Sequence, residues 1–301
     1  MQNRGIYLAL LTALISGVSI FINKFAVASF ESPVMLPTIK NSLVGLFLLA
    51  TLIASGQWQK NWTELKSLNK KQALQLIGVA IIGGSLPFYL FFTGFSQIPA
   101  INASIIHKSL VLWVALLAIP LLKEKVTKNQ ALAVLLLFAG NLMIGGFKGL
   151  TFSKGEWIVF LATLLWATET ILVKKVLKSL SADLVATARM GVGSLILILV
   201  TAVTSPSDIT GITNLNSTQW FWVILTSITL FAYVSTWYRA LRVAPAITVS
   251  AVLVSATLVT NILSAIFITH AWNFALTQQG SLIAVGLLLV TRVSKLPSHS
   301  R

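Results

Sequence analysis

The sequence predicts an all-α polytopic membrane protein, with ten transmembrane helices in two inverted five-helix repeats. Three observations carry this. Of 301 residues, 56% are hydrophobic and 10% charged, whereas a soluble domain carries about a quarter charged residues. Apolar runs of about 20 residues recur along the chain, the length a helix needs to cross a hydrocarbon core of about 30 Å. The chain also repeats itself. FTGFSQIPAINAS at 92–104 aligns with YRALRVAPAITVS at 238–250, an offset of 146 that sets Pro99-Ala100-Ile101 on Pro245-Ala246-Ile247 and Ser104 on Ser250. GIYLALLTALISGVSIFINKF from Gly5 matches GEWIVFLATLLWATETILVKK from Gly155 at an offset of 150.

Taken in order, the spans are expected at roughly 5–29, 33–54, 72–96, 100–122, 129–147, 155–177, 183–204, 218–240, 244–269 and 273–292. Gly and Pro punctuate their ends at Pro33, Pro99, Gly149, Pro206 and Pro245. The first five form one repeat, 1–148, and the rest the second, 149–301, within a single membrane domain. The first run is too long for a signal-peptide core and lacks a small-residue cleavage site, so it is expected to be retained as a span. The stretch 205–217, SPSDITGITNLNS, is expected as a polar loop. With no cysteine there is no disulfide and no thiolate metal site.

Charge orients the spans. With the N-terminus inside, the inner segments collect Arg4, Lys60, Lys66, Lys70, Lys71, Lys123, Lys125, Lys128, Lys174, Lys175, Lys178, Arg239, Arg242, Arg292, Lys295 and Arg301. The outer loops hold only Lys148 and Lys154. This is the positive-inside pattern, and it places both termini in the cytoplasm of a prokaryotic plasma (inner) membrane. The net charge of +15 is thus a topology signal with some attraction to anionic headgroups. No basic domain exists to bind nucleic acid. Five spans per half is an odd number, so the second half enters the membrane from the opposite side. Lys40 and Arg189 fit this inversion, each six or seven residues into the second span of its half.

One stretch is specific. SQIPAINASIIHKSLVLWVALLAIPLLKEKVTKNQALAVLLLFAGNLMI carries Pro99-Ala100, then Pro120, then Leu122-Lys123-Glu124-Lys125-Val126-Thr127, then Gln130 and Gly140. The second half keeps Leu165-Trp166-Ala167, Tyr238-Arg239-Ala240-Leu241 and Pro245-Ala246. In this the chain resembles the drug/metabolite transporter (DMT) superfamily, in its EamA-type branch. It departs from that pattern in and after the ninth span, where Asn261 or Ile262 and His270 stand for a proline and an acid. The resemblance covers nearly the whole chain. It implies a small-molecule carrier, commonly a metabolite exporter, and leaves the substrate open.

The residues themselves add a candidate cavity. Polar side chains within spans face the bundle interior, and helical spacing identifies that face. The first span has the stripe Thr12, Ser16, Ser19 and Asn23; its mates at offset 150 are Ala162, Trp166, Glu169 and Val173. The ninth has Ser250, Val254, Thr257, Asn261 and Ser264; their mates at offset 146 are Ser104, Lys108, Val111, Ala115 and Ala118. The third adds Ser85, Tyr89 and Ser96. The expected substrate contacts are Ser16, Ser19, Asn23, Lys40, Tyr89, Ser104, His107, Lys108, Trp166, Glu169, Thr257 and Asn261. Spans one, three, four, six, eight and nine are expected to line the space, with the fifth and tenth outside it.

Each residue has a plainer reading. Small hydroxyl residues also serve helix packing. Lys24 sits near an outer end, where it can snorkel. Lys40, His107 and Lys108 lie about 10 Å deep at 1.5 Å per residue, a depth that favours a cavity. Glu169 is the only acid inside a span away from its ends and needs water, a partner or a proton; it is the candidate proton-coupling residue. His270 and His299 are expected at the surface. Gly83-Gly84 and Gly145-Gly146 read as close packing or helix bending rather than phosphate binding.

No metal-ligand spacing, nucleophile motif or phosphate loop is present, so no cofactor, metal or enzymatic activity is expected. The expected partners are the lipid bilayer and a small-molecule substrate, amino-acid-like or otherwise anion-bearing. A flippase or carrier for a lipid-linked or sugar-type substrate is the alternative. An integral membrane enzyme or scaffold would need a catalytic cluster at one interface. Oligomeric state, coupling ion and direction stay open.

Overall fold

In the computed structural model, residues 2–56, 58–143 and 149–293 are described. Gly145-Gly146, Lys148, Lys295, His299 and Arg301 lie outside them. Among the described residues the chain is helical, without strands. Nine helices among the described residues are long and apolar enough to cross a membrane: Asn3–Ala28, Met35–Ala54, Lys70–Phe95, Ile101–Leu122, Lys154–Val176, Ala182–Thr204, Ser217–Val243, Ala246–Thr269 and Phe274–Thr291. The fifth span, Lys128–Leu142, ends next to the 144–148 segment. Four spans begin at a capping box, with Asn69/Gln72, Thr127/Gln130, Ser153/Glu156 and Asn216/Gln219 closing the first turn.

Contacts between the halves come in exchanged pairs. The first span packs on the eighth and the third on the sixth; the first packs on the ninth and the sixth on the fourth. The second and seventh pack on each other, as do the fifth and tenth. Each contact therefore has a counterpart with the halves swapped. Leu195, Leu199 and Val203 are exposed at i, i+4 and i+8 on the seventh span, the face a helix turns to lipid.

The close crossing of the third and seventh spans depends on glycine. A Cβ on Gly84 would lie 1.9 Å from the carbonyl oxygen of Arg189, and one on Gly193 would lie 2.7 Å from Gly84 Cα. The third span is locally a π-helix over Ala80–Ser85, which leaves carbonyls free of the helical ladder. Trp166 Nε1 donates to Gly83 O at 3.1 Å and Asn41 Nδ2 to Gly84 O at 3.4 Å. Gly84→Ala is expected to destabilise at the top of the about 1–3 kcal/mol range for overpacking, because backbone must move. Gly191→Ala, whose Cβ meets nothing within 4 Å, is the control. Equal melting temperatures in detergent would show that the crossing yields freely.

Two connections hold short helices, and one of them was expected as a loop. The 205–217 loop holds a short helix, Pro206–Thr210, and a 3-10 turn, Gly211–Asn214. Proline at the first helical position fixes φ for the turn, and Asp208 accepts the Ser32 hydroxyl. Between the second and third spans, Trp58–Lys66 forms a helix. Trp58 stacks on Trp62 at 5.4 Å and Lys66 lies over Trp62 at 5.1 Å, composition suited to a membrane interface.

Candidate functional site

The Pro99 and Pro245 turns lie at opposite ends of the bundle, because an odd number of crossings separates them. Between the halves lies a cavity of about 380 Å³, the size of a small-metabolite site. It reaches toward the Pro99 end, where Lys24, Val27, Phe95 and Ile101 line it. Toward the Pro245 end its deepest walls are Trp237, Thr170 and Ser250.

Of the residues expected there, Ser16, Ser19 and Asn23 line it from the first span and Lys40 from the second. Ser104, His107 and Lys108 do so from the fourth, Trp166 and Glu169 from the sixth, and Asn261 from the ninth. Tyr89 and Thr257 do not. The third span turns aromatic rings inward at i, i+3, i+4 and i+7, Phe88, Phe91, Phe92 and Phe95, so Tyr89 falls to the side. Ser85 needs no cavity, since its hydroxyl donates to Ile81 O at 3.0 Å within its own helix. Thr257 likewise returns its hydroxyl to Val254 O at 2.9 Å, and Thr260 lines the space in its place. The second and seventh spans contribute one cation each, Lys40 and Arg189, which the stripe argument did not assign to those helices. The tenth span is not wholly apolar inside: Gln279 is buried and accepts from Asn261 Nδ2 at 2.8 Å.

The reason for the Thr257 slip is a repeat-symmetric break. The fourth span is interrupted at Ser109 and the ninth at Val254-Ser255, and Ser109 and Ser255 are mates at offset 146. Each hydroxyl donates to the carbonyl three residues back, Ser109 to Ile106 at 2.6 Å and Ser255 to Val252 at 2.7 Å. Backbone bonding tightens to i−3 there, as in Leu112 N to Ser109 O and Leu258 N to Ser255 O. Such tightening turns the distal segment relative to a 3.6-residue period. Interrupted helices at a repeat interface are a transporter's binding-site device.

Lys108 occupies the last turn before the fourth-span break. It is 4% exposed, and its ammonium has no hydrogen bond or ion pair among the described residues. His107 beside it packs edge-on to Trp166 at 4.9 Å and to Phe91 at 5.3 Å. Its Nδ1 is buried without a partner. Lys40 is held by Asn23 Oδ1 at 3.2 Å and lies over the Phe92 ring at 4.9 Å. Asn23 is in turn tied to Ser19.

Glu169 is 2% exposed. It forms no ion pair with Lys108. Its cation is Arg189, with Nε 3.6 Å from Oε1, and the Tyr238 hydroxyl donates to the same oxygen. Arg189 also lies over the rings of Phe88 at 5.7 Å and Tyr238 at 5.8 Å. Its donors are thinly used, with Nη1 on the Met190 thioether at 3.6 Å and Nε without a hydrogen bond. Phe92 and Tyr238 are mates at offset 146, so each half sets the cation of its second span over the ring near the end of its third. That symmetry was the available signal for Arg189, which the polar-stripe argument missed.

The family model for the EamA-like transporter family matches residues 3–146 and 153–292. The uncharacterized transporter YyaM of Bacillus subtilis is 29% identical over 214 residues, which cover 68% of this chain and 67% of YyaM. An uncharacterized transporter of Methanothermobacter thermautotrophicus is 23% identical over 208 residues, 64% of this chain and 60% of that protein. A solved crystal structure superposes with a TM-score of 0.78 over 98% of this chain and 99% of its own, at 15% identity, a likeness of fold. Apolar spanning helices, two family matches covering nearly the whole chain and a cavity between the two halves belong together: this chain is an integral membrane protein of the EamA-like transporter family.

Proposed function

We propose that this membrane transporter is a secondary carrier that exports a small anion-bearing metabolite by alternating access around the central cavity. The observation that carries the reading is Lys108, buried on the wall of the cavity with no polar partner for its ammonium among the described residues. Burying a charge is costly unless it is paired, so a site that keeps one open is fitted for an anionic ligand. Glu169 is occupied by Arg189 and Tyr238, which leaves Lys40 and Lys108 as surplus positive charge. The remaining wall is largely aromatic, Phe88, Phe91, Phe92, Phe95, Trp166 and Trp237, and suits a substrate with an apolar body.

An amino-acid-like substrate meets both groups, its carboxylate at Lys108 and its amine at Glu169 Oε2, since Arg189 and Tyr238 both engage Oε1. Proton and amine then compete for the same carboxylate, as an exchanger requires. We place the Pro99 end outside and both termini in the cytoplasm of a prokaryotic plasma membrane, an orientation the lysine distribution supports. The cavity as it stands then faces out. Counterflow into proteoliposomes tests the reading, with labelled amino acids, carboxylates and phosphates set against their neutral amides and esters. Anionic members are expected to exchange and neutral isosteres to stay out. Equal exchange of charged and neutral partners would overturn it.

A further inference from the structure

The two proline turns are not held alike. At the Pro245 turn, Lys174 of the sixth span donates from Nζ to the carbonyls of Leu241 and Ala244, the latter at 2.6 Å. Glu124, just past the fourth span, accepts from the amides of Ala246 at 2.7 Å and Ile247 at 3.1 Å. A cation thus satisfies the helix end entering the turn, and an anion the helix start leaving it. Both charges stand where a helix dipole favours them. Both also tie the group of spans three, four and six to the group of spans one, eight and nine.

Repeat symmetry names the counterparts at the other end. The mate of Lys174 at offset 150 is Lys24, which is exposed, lines the cavity and has no hydrogen bond or ion pair among the described residues. Its targets would be the carbonyls of Phe95 and Ile98, mates of Leu241 and Ala244 at offset 146. The mate of Glu124 by sequence is His270. By fold it is Ala271, because Lys123 and His270 are the left-handed residues that end their spans, at φ 56° and 49°. The π-helix Ala265–Thr269 accounts for the extra residue. On either count the position that repeats Glu124 at the Pro99 end is not acidic; an acid at that end, Glu156, instead accepts from Asn102 Nδ2 at 2.6 Å, joining spans four and six of the same group.

We infer that Lys174 and Glu124 are the gate residues of the Pro245 end, that Lys24 is the gate residue of the Pro99 end, and that the missing acid makes the state open at the Pro99 end the resting one. Each transport cycle breaks the Lys174 and Glu124 clamps and lets Lys24 close on the carbonyls of Phe95 and Ile98. The snorkelling role read for Lys24 from its depth alone is then only its appearance in the open state. The inference rests on the alternating-access reading above, and its test needs no substrate.

The chain has no cysteine, so single reporters can be placed at Ile101→Cys, which lines the open end, and at its mate Ile247→Cys, which is 3% exposed. Maleimide labelling rates on the purified protein in nanodiscs report the two ends. Lys174→Met and Glu124→Gln are each expected to raise labelling at Ile247→Cys about tenfold or more, as loss of charge-assisted hydrogen bonds predicts, and to lower it at Ile101→Cys. Lys24→Met is expected to leave Ile247→Cys protected and Ile101→Cys at least as reactive as before. Unchanged rates in folded Lys174→Met and Glu124→Gln proteins overturn the gate. So does Lys24→Met acting like Lys174→Met. If Lys174→Met does not fold, Lys174→Arg must restore the wild-type labelling pattern, and a misfolded Lys174→Arg protein makes Lys174 structural only. A carrier with this labelling behaviour but no anion counterflow would sink the substrate reading and leave the gate standing.

Discussion

Glu169→Gln is expected to lower the unfolding free energy by about 3–5 kcal/mol, the cost of leaving one member of a buried ion pair unpaired. The geometry concentrates that cost on Arg189. Arg189 is 5% exposed, has Glu169 as its counter-ion, and among the described residues its guanidinium otherwise reaches aromatic faces and a thioether. An arginine stays protonated in proteins, so it cannot relieve the loss by shedding its charge. Adding Arg189→Met should recover most of the stability, because a buried pair replaced by apolar groups of similar volume is often neutral. A double variant no more stable than Glu169→Gln would show that the pair is not what the fold relies on. The double variant also isolates coupling: it has lost Glu169, the one acid among the described residues that line the cavity, so proton-linked transport through Glu169 requires its pH profile to be flat. A folded double variant with the wild-type pH profile removes Glu169 from the coupling role.

The spans were legible because a bilayer imposes one length and one polarity on every crossing. The observed ends of the third span at Lys70–Phe95 and the ninth at Ala246–Thr269 fall within about two residues of the expected 72–96 and 244–269. The inverted arrangement was legible because Pro99 and Pro245 survive in both copies. The stripes placed Ser16, Ser19, Asn23 and Glu169 on the cavity face because the first and sixth spans are unbroken. They failed where the helix is not α throughout. Thr257 lies just beyond the Val254-Ser255 turn, and Ser85 ends a π-helical segment. The rule that polar faces point inward also has a local exception, since a serine or threonine can satisfy its hydroxyl on its own helix. What spacing cannot give is pairing. Whether Glu169 meets Lys108 or Arg189 depends on how spans six and seven each pack on the third, and for the seventh that is set by Gly84 and Gly193 at the crossing.

Lys108→Met is expected to change function and stability in opposite directions. Transport of an anionic substrate should fall at least about 30-fold, since truncating one partner of a buried charge pair costs about 2 kcal/mol or more. Stability in detergent should rise by about 1–3 kcal/mol, because a polar group buried without a partner is removed. The fold accepts an apolar side chain at this place, for the mate of Lys108 in the second half is Val254, which is 2% exposed. Lys108→Arg keeps the charge and should retain part of the activity. Lys40→Met should cost less transport, because Lys40 already spends one donor on Asn23 and its charge on the face of Phe92. A structural lysine would behave otherwise, losing stability with little change in transport. If Lys108→Met melts lower than the wild type and still exchanges the anion at the wild-type rate, Lys108 belongs to the packing of the fourth span, and the substrate's charge must be met by Lys40 or Arg189.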